Sequence, residues 1–326
     1  MRNRGGAARA KRCSSAPAKR CSNARANRQR DAMQRIAAIA ALAALGFAGR
    51  AAALPFENVA SGGRSAAMGD MQATLSLGSE AVLGNPALLG EVKSLSVNAM
   101  TRDWYGSGMR SYAVSVAQPL GDLGLGLAWH RFGQSDLWTE DLIALGGAWT
   151  YQLPTGTMRI NLGGSLKAMQ VAAPGYRGSD YQGDFTTWSG DLAAMIEPMP
   201  FLRAAWTGEN LAAGKMTLLD GGERHRSAPR RQRLGLSLRW GEDLLLAAEY
   251  VKREERDGKL HLGGELGFYQ AFTVRAGAGE GFATAGFGVD GGRWQADAAF
   301  ESRGQLGTSL VFSIRLQPGK PAGRKP

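Results

Sequence analysis

The chain has no cysteine after Ala53; its two, Cys13 and Cys21, lie near the N-terminus. The body of the protein therefore carries no disulfide, no thiolate nucleophile and no Cys-ligated metal. Histidine is nearly as scarce. His130, His225 and His261 are the whole set, and neither a His-x-x-x-His spacing nor a paired-carboxylate spacing accompanies them, so no metal site is expected. There is no Gly-x-Ser-x-Gly elbow, and the glycine-rich "GAGEGFATAG" lacks the Lys-Ser/Thr that completes a phosphate loop. These absences argue against an enzyme and against a bound cofactor. One more decides the architecture: no apolar run after Ala53 is long enough for a membrane-spanning helix.

A formal charge of +11 over 326 residues points at first to nucleic acid. Its distribution removes that reading. Met1 to Ala53 holds 12 Lys or Arg against the single acid Asp31, and the rest balances 27 bases with 27 acids. The neutral body also lacks a basic groove interleaved with aromatics, so no nucleic-acid partner is expected. Within the leader, "MQRIAAIAALAALGFAGRAAA" has a basic start at Arg35, an apolar run from Ile36 to Phe47 and small residues up to Ala53. That is the pattern of a cleavable signal peptide with a mature start at Leu54; an uncleaved anchor competes, but the run is short for a span. Residues before Met33 fit a basic tail or a true start at Met33.

From Ser94 to Gln317 the chain alternates apolar and polar residues with period two. In "QLGTSLVFSIRLQ", Leu306, Thr308, Leu310, Phe312, Ile314 and Leu316 share one face, opposite Ser309, Ser313, Arg315 and Gln317. Fourteen such segments are expected, most of them near the 9 to 11 residues that a tilted spanning strand needs. Short connections such as "PLGD", "LPTG", "PMP", "GED" and "YQA" interleave with longer ones, Gly133 to Glu140, Ala173 to Asp184, Ala213 to Arg231 and Arg253 to Gly258. Short turns on one rim and long loops on the other are the habit of bacterial outer-membrane barrels.

The two faces decide between water and lipid. Asn98, Arg159, Asn161, Lys167, Arg233, Arg239, Glu249, His261, Glu265, Arg275, Asp297, Glu301 and Arg315 fall on the polar face. In hydrocarbon, an Arg or Lys at mid-depth costs about 2–4 kcal/mol, so these belong to the lumen. Trp104, Tyr105, Trp129, Phe132, Trp138, Trp240, Tyr250 and Phe268 lie near strand ends, where interfacial girdles form. A soluble sandwich or lipocalin-like barrel alternates in the same way, but fourteen strands closed in water leave an apolar exterior uncovered. The expected fold is therefore all-β: a transmembrane antiparallel barrel of about fourteen strands over residues 94–317. A plug or hatch over residues 54–93 precedes it, and a disordered periplasmic tail over residues 318–326 follows.

The stretch "GGRSAAMGDMQATLSLGSEAVLGNPALLG", Gly62 to Gly90, resembles the N-terminal segment of the FadL superfamily of outer-membrane proteins, especially its PorV/PorQ-type branch. The residues carrying the resemblance are Gly63, Arg64, Met68 and Gly69, then Asn85, Pro86, Ala87 and Leu88. The closing run "WQADAAFESRGQLGTSLVFSIRL" is similar to the last strands of the same branch. The resemblance implies a fourteen-stranded barrel with an inward-folded hatch. It also implies one of two roles, moving hydrophobic compounds across the outer membrane or serving as a membrane partner in protein secretion. The sequence departs from the family in three respects: Leu83-Gly84 replaces the aromatic pair often found before Asn-Pro, an acidic dipeptide upstream is missing, and the outer loops are shorter than in fatty-acid transporters. No ligand-binding residue is therefore carried over.

Met68, Gly69, Asn85, Pro86 and Ala87 are the expected plug motif, with Asn85-Pro86 as a turn anchoring the plug at the periplasmic rim. Arg159, Lys167, Arg239, Glu265, Arg275, Asp297, Glu301 and Arg315 are the expected lumen-facing charges. In "GGERHRSAPRRQR", Arg224, Arg226, Arg230 and Arg231 form either a solvated loop or a contact for lipopolysaccharide phosphates. A hydrolase using a Ser near His261 is the remaining enzymatic alternative. Two functional classes stay open for a Gram-negative outer-membrane protein: a passive channel for hydrophobic small molecules, and a non-transporting scaffold for secretion or envelope assembly. A lateral opening with an apolar internal pocket favours the channel. A lumen closed by charge pairs, such as Arg275 with Glu265 or Arg293 with Asp297, favours the scaffold.

Overall fold

The computed structural model describes residues 55–59, 62–154, 158–174, 185–216, 225–226, 228–254, 256–269 and 271–319. The expected signal peptide, Leu54 and the last residues of the tail lie outside these. The chain builds β1 (Ser96–Asp103), β2 (Arg110–Leu120), β3 (Leu123–Gln134), β4 (Trp138–Gln152), β5 (Arg159–Ala172), β6 (Phe185–Met199) and β7 (Leu202–Glu209). A two-residue hairpin, β8 (Lys215–Met216) with β9 (His225–Arg226), stands apart. The chain continues with β10 (Arg231–Trp240), β11 (Leu244–Arg253), β12 (Lys259–Phe268), β13 (Phe272–Gly279), β14 (Phe282–Asp290), β15 (Trp294–Ser302) and β16 (Thr308–Leu316).

Fourteen of these, β1–β7 and β10–β16, form a closed antiparallel barrel. Each pairs with its sequence neighbours, β7 with β10, and β1 closes on β16 from Val97 opposite Leu316 to Asp103 opposite Leu310. The period-two pattern explains why these segments are strands and which way they face. In β2, Ser111, Ala113, Ser115 and Ala117 are buried while Tyr112, Val114 and Val116 are exposed, and β3 repeats this with small residues inward and leucines outward. Leu145 is 59% exposed and Leu166 68% exposed, members of an apolar exterior that runs right round the barrel. A water-soluble surface rarely leaves so large an apolar patch uncovered.

Strand lengths differ around the wall. From β2 to β6 they run 11 to 15 residues, and from β13 to β16 only 8 or 9. One rim therefore stands higher on the β2–β6 side. Two expected boundaries move. The expected long loop Gly133 to Glu140 is a tight turn at 135–137, because the ladder continues to Gln134 opposite Trp138. The expected turn "PMP" begins too early: β6 runs on to Met199 through a register shift between Ile196 and Met199. Pro198 has no N–H to give the ladder, and a bulge is where a strand tolerates that.

Residues 62–93 lie inside the barrel. A short helix, α1 (Gly63–Ala67), packs on β14 and β15, and two 3-10 turns, Gly78–Val82 and Pro86–Glu91, pack on the far wall from β2 to β6. Glycines in the wall let the backbones touch. A Cβ at Gly163 would sit 2.6 Å from the nitrogen of Ala87, and one at Gly277 only 2.2 Å from the nitrogen of Gly69. Both distances are too short for any side chain, so glycine is required at both contacts.

The apolar exterior yields a prediction. Leu145→Arg, at the middle of β4, costs about 2–4 kcal/mol of folding free energy in phospholipid bilayers, read by denaturant titration of barrel folding; a change under about 0.5 kcal/mol would mean that position 145 does not face hydrocarbon.

Candidate functional site

The lumen is where polar chemistry collects. Call the near rim the one bearing both barrel ends and the short turns, and the far rim the other. Near the near rim, Arg64 of α1 grips Glu265 of β12 with two bonds, Nε to Oε2 at 2.7 Å and Nη2 to Oε1 at 3.0 Å. Arg275 of β13 donates to the same Glu265 at 2.6 Å and to Asp297 of β15 at 2.7 Å. Bidentate guanidinium–carboxylate geometry of this kind is strong and directional. Beside it, Glu197 bridges Arg159 at 2.5 Å and Arg203 at 2.7 Å, and Glu91 lies 3.1 Å from Arg203.

Further toward the far rim the pattern repeats with other partners. Glu209 receives Arg231 at 3.1 Å and Arg233 at 2.6 Å, and Arg233 reaches on to Glu249 at 2.6 Å. The second oxygen of Glu249 accepts from the backbone N–H of Gln72 at 2.8 Å and of Ala73 at 2.7 Å. One wall carboxylate thus fixes the middle of the N-terminal segment by two amides. Lys167 lies 2.6 Å from Asp191, and Arg102 lies 2.5 Å from Glu301, which also holds Arg303.

The expected plug motif is tied in by the same means. Gly69 donates its N–H to Thr284 Oγ1 at 2.9 Å, and its carbonyl lies 2.7 Å from His261 Nδ1. Asn85 caps the turn that Pro86 opens: its Oδ1 accepts from Ala87 N at 2.9 Å while its Nδ2 donates to Ala73 O at 2.5 Å. It thereby joins two parts of the segment, and Gly90, five residues on, accepts from Thr150 at 2.9 Å close to the near rim. Met68 is fully buried against β12 and β13.

Two ionisable groups of the segment respond to this setting. Burial pushes the Glu80 carboxyl above the ordinary carboxylate range, against the opposing pull of Arg315. Burial also penalises the Arg64 guanidinium, but the adjacent Glu265 carboxylate outweighs it and holds the group above its ordinary value.

Of the expected lumen charges, Arg159, Lys167, Glu265, Arg275, Asp297 and Glu301 meet in the pairs above, and Arg315 bonds Gln295. Arg239, exposed at the end of its strand, lines the near-rim cavity. Several expectations need correcting. Asp297 is taken by Arg275 and Gln295, while Arg293 is exposed, so the pair Arg293 with Asp297 does not form. Arg231 is no outer-loop residue: β10 starts at it, and its side chain is buried in the lumen on Glu209 and on the carbonyl of Glu57. Arg230 is exposed, Arg226 lies in β9, and Arg224 lies outside the described residues. Among the expected girdle aromatics, Trp104 and Phe132 instead meet edge-to-face, with the Arg102 guanidinium 3.7 Å over the Trp104 ring, and Trp138 turns in to bond Glu140.

Strand parity places Glu249, Arg233 and His261 on the polar face; all three contact the N-terminal segment, Arg233 through the carbonyl of Asp70. Arg102, Glu209 and Thr284 carry contacts that the sequence does not single out. Their signal was available only as inward parity within an already assigned strand.

Two hollows remain. A polar cavity of about 190 Å3 opens at the near rim, among Arg64, Arg203, Arg239, Glu265, Arg275 and Asp290. A recess of about 600 Å3, almost wholly apolar, lies over β5–β7 and β10–β12; the outward residues Trp206, Leu234, Tyr250 and Leu260 place its mouth on the outer wall. No metal-binding cluster occurs among the described residues.

No protein-family model and no curated protein matches the chain. Solved structures do. The chain is similar to a "CymD monoaromatic hydrocarbon channel" (12% identity, TM-score 0.55, 80% of this chain and 98% of that one). It is similar to the toluene transporter TbuX of Ralstonia pickettii (14%, TM-score 0.55, 80% and 99%). A Pseudomonas aeruginosa FadL homologue also matches (13%, TM-score 0.50, 78% and 97%). At these identities the likeness establishes the fold: a closed fourteen-strand barrel of the FadL-like architecture.

The shared carboxylate Glu265 should be decisive for the segment. Glu265→Gln leaves Arg64 and Arg275 without their common counter-charge, at a cost of about 3–5 kcal/mol for a buried pair. Hydrogen exchange at the amides of residues 64–75 should quicken accordingly while the β-ladder amides stay protected; uniform exchange across both would show that the pair does not hold the segment.

Proposed function

We propose that the protein is an outer-membrane barrel that acts as a passive channel for hydrophobic small molecules, with the N-terminal segment as its plug. The observation that carries this reading is the combination of a closed, apolar-walled barrel with a lumen filled by the chain's own N-terminal residues. Side chains rather than a β-ladder fasten those residues. In hydrocarbon every backbone N–H and C=O needs a partner, and a closed barrel meets that need without using the plug. The plug is then free to move without opening the wall. The fold shared with a monoaromatic hydrocarbon channel and a toluene transporter supports the same cargo class.

A second reading, a non-transporting scaffold like the PorV/PorQ-type proteins, draws support from one observation. Arg275 sits between Glu265 and Asp297 with Arg64 close by, so the near-rim lumen is a salt-bridged block, and the larger apolar hollow is on the outside. A hydrophobic solute has no apolar tunnel past that block unless the plug shifts. The Arg-rich stretch that includes Arg224, Arg226 and Arg230 stays on as a proposed contact for lipopolysaccharide phosphates, without the buried Arg231.

The readings part in one experiment. Expressed in the outer membrane of a strain with an intact lipopolysaccharide barrier, the protein should raise the entry rate of the fluorescent hydrophobe 1-N-phenylnaphthylamine several-fold over the empty strain. Deletion of Leu54–Gly90 should also open ion conductance in planar bilayers. Entry no faster than in the empty strain, from correctly folded barrels, would discard the channel and leave the scaffold; unchanged conductance after the deletion would discard the plug.

A further inference from the structure

At the far rim the lumen is crossed by residues 55–59, held by groups that the rest of the N-terminal segment does not use. Glu140 near the start of β4, Arg231 at the start of β10, Arg253 at the end of β11 and Arg256 in the loop after it surround Phe56 and Glu57. Glu140 Oε2 accepts from the N–H of Phe56 at 2.6 Å, and Arg231 donates to the carbonyl of Glu57 at 2.8 Å. The Glu57 carboxylate lies 2.9 Å from Arg256 and 3.9 Å from Arg253. Phe56 is buried in the same apolar cluster as Val171, Ala173, Ala213 and Ala228, and Val59 packs on that cluster. These residues cap the lumen at the rim opposite the short turns, while residues 62–93 fill it below.

Three features set this cap apart from the plug. Its partners differ: residues 62–93 bond Ser313, Glu265, Thr284, His261, Glu249 and Thr150, and among the described residues none of these bonds residues 55–59. Its charge pairs are open to water, since the Arg253 and Arg256 side chains are each 32% exposed against 7% for Arg64. Pairs that water and salt reach are weak. Its backbone is also strained: Phe56 has φ 60°, a left-handed conformation that a bulky residue keeps only where its surroundings fix it.

We propose that residues 55–59 form an ionic latch over the outer mouth of the barrel, turned to the cell exterior, and that this latch opens without release of the plug. The short turns and both barrel ends mark the near rim as periplasmic, so the far rim faces outward. Glu57 is the fastener and Phe56 the stopper. Once Glu57 loses Arg253 and Arg256, the strain at Phe56 favours release, while residues 62–93 stay on their own partners. The latch rests on the outer-membrane placement and on the plug, and is independent of the cargo.

The absence of cysteine after Ala53 permits a direct test. In a Cys13→Ser, Cys21→Ser background, the single variants Asn58→Cys in the latch, Ser79→Cys in the plug and Pro318→Cys beyond β16 are treated in cells with a polyethylene-glycol maleimide too large for porins. Asn58→Cys should react in intact cells, and Pro318→Cys only after the outer membrane is permeabilised. In purified barrels of confirmed heat-modifiable gel migration, adding Glu57→Gln should speed the reaction of Asn58→Cys about fivefold and leave Ser79→Cys unchanged. Raised salt should act in the same direction on Asn58→Cys alone. Reaction of Asn58→Cys only after permeabilisation, or of both ends alike in intact cells, would overturn the outward placement. An unchanged rate with Glu57→Gln would overturn the ionic fastening, and equal acceleration at Ser79→Cys would overturn the independence from the plug. Failure of the dye-entry experiment leaves all of these readouts untouched.

Discussion

The ladder between β1 and β16 is the contact on which everything else rests. Seven consecutive residue pairs, Val97–Leu316 to Asp103–Leu310, join the first strand to the last and remove both edges at once. An open edge on a wall of leucine and aromatic side chains exposes unpaired N–H and C=O groups to an apolar surrounding, at several kcal/mol each. With closure, no backbone group in the wall needs the side chains or the lumen. That separation frees inward positions to be polar, charged or absent, and the chain uses all three.

What the inward positions then face is a second cost. Arginines and carboxylates in a narrow lumen lose much of their hydration, and an ion pair repays that loss only when geometry is good and remaining donors find acceptors. The lumen meets this by sharing: Glu265 serves two arginines, Glu209 serves two, and Arg275 and Arg233 each span two carboxylates. The N-terminal segment completes the arrangement, since Arg64 fills Glu265 and the amides of Gln72 and Ala73 fill Glu249. Glycines at 163 and 277 bring wall and segment to backbone contact where no charge intervenes.

The fold was legible because its signal is repeated. Alternation over about ten residues is weak in any single strand, but the same phase recurs fourteen times, and absent cysteine and absent long apolar runs leave few other architectures. Local turns were less so. The β3–β4 connection looked long because Thr139 and Glu140 interrupt the apolar rhythm, whereas Glu140 is a lumen residue that holds Phe56 N at 2.6 Å. The site was legible by face and not by partner. Parity puts Arg275 and Asp297 inside, but which of them meets depends on register and on neighbours far apart in sequence, so Asp297 goes to Arg275 and Arg293 is left outside. Arg231 misled for a related reason: it continues a run of arginines that reads as a loop, yet it is the first residue of a strand, and the run is divided there between rim and lumen.

The way the segment is held limits what the barrel can do. A strand added to the wall is released only by breaking a ladder; a segment held by side chains can leave while the ladder stays intact. Its departure exposes Glu265, Glu249 and the arginines they share, and water entering the lumen can hydrate those groups far better than lipid can. The cost of opening also includes the bonds from Thr284, His261 and Thr150 and the buried packing of Val82, Leu88 and Leu89, none of which belongs to the ladder.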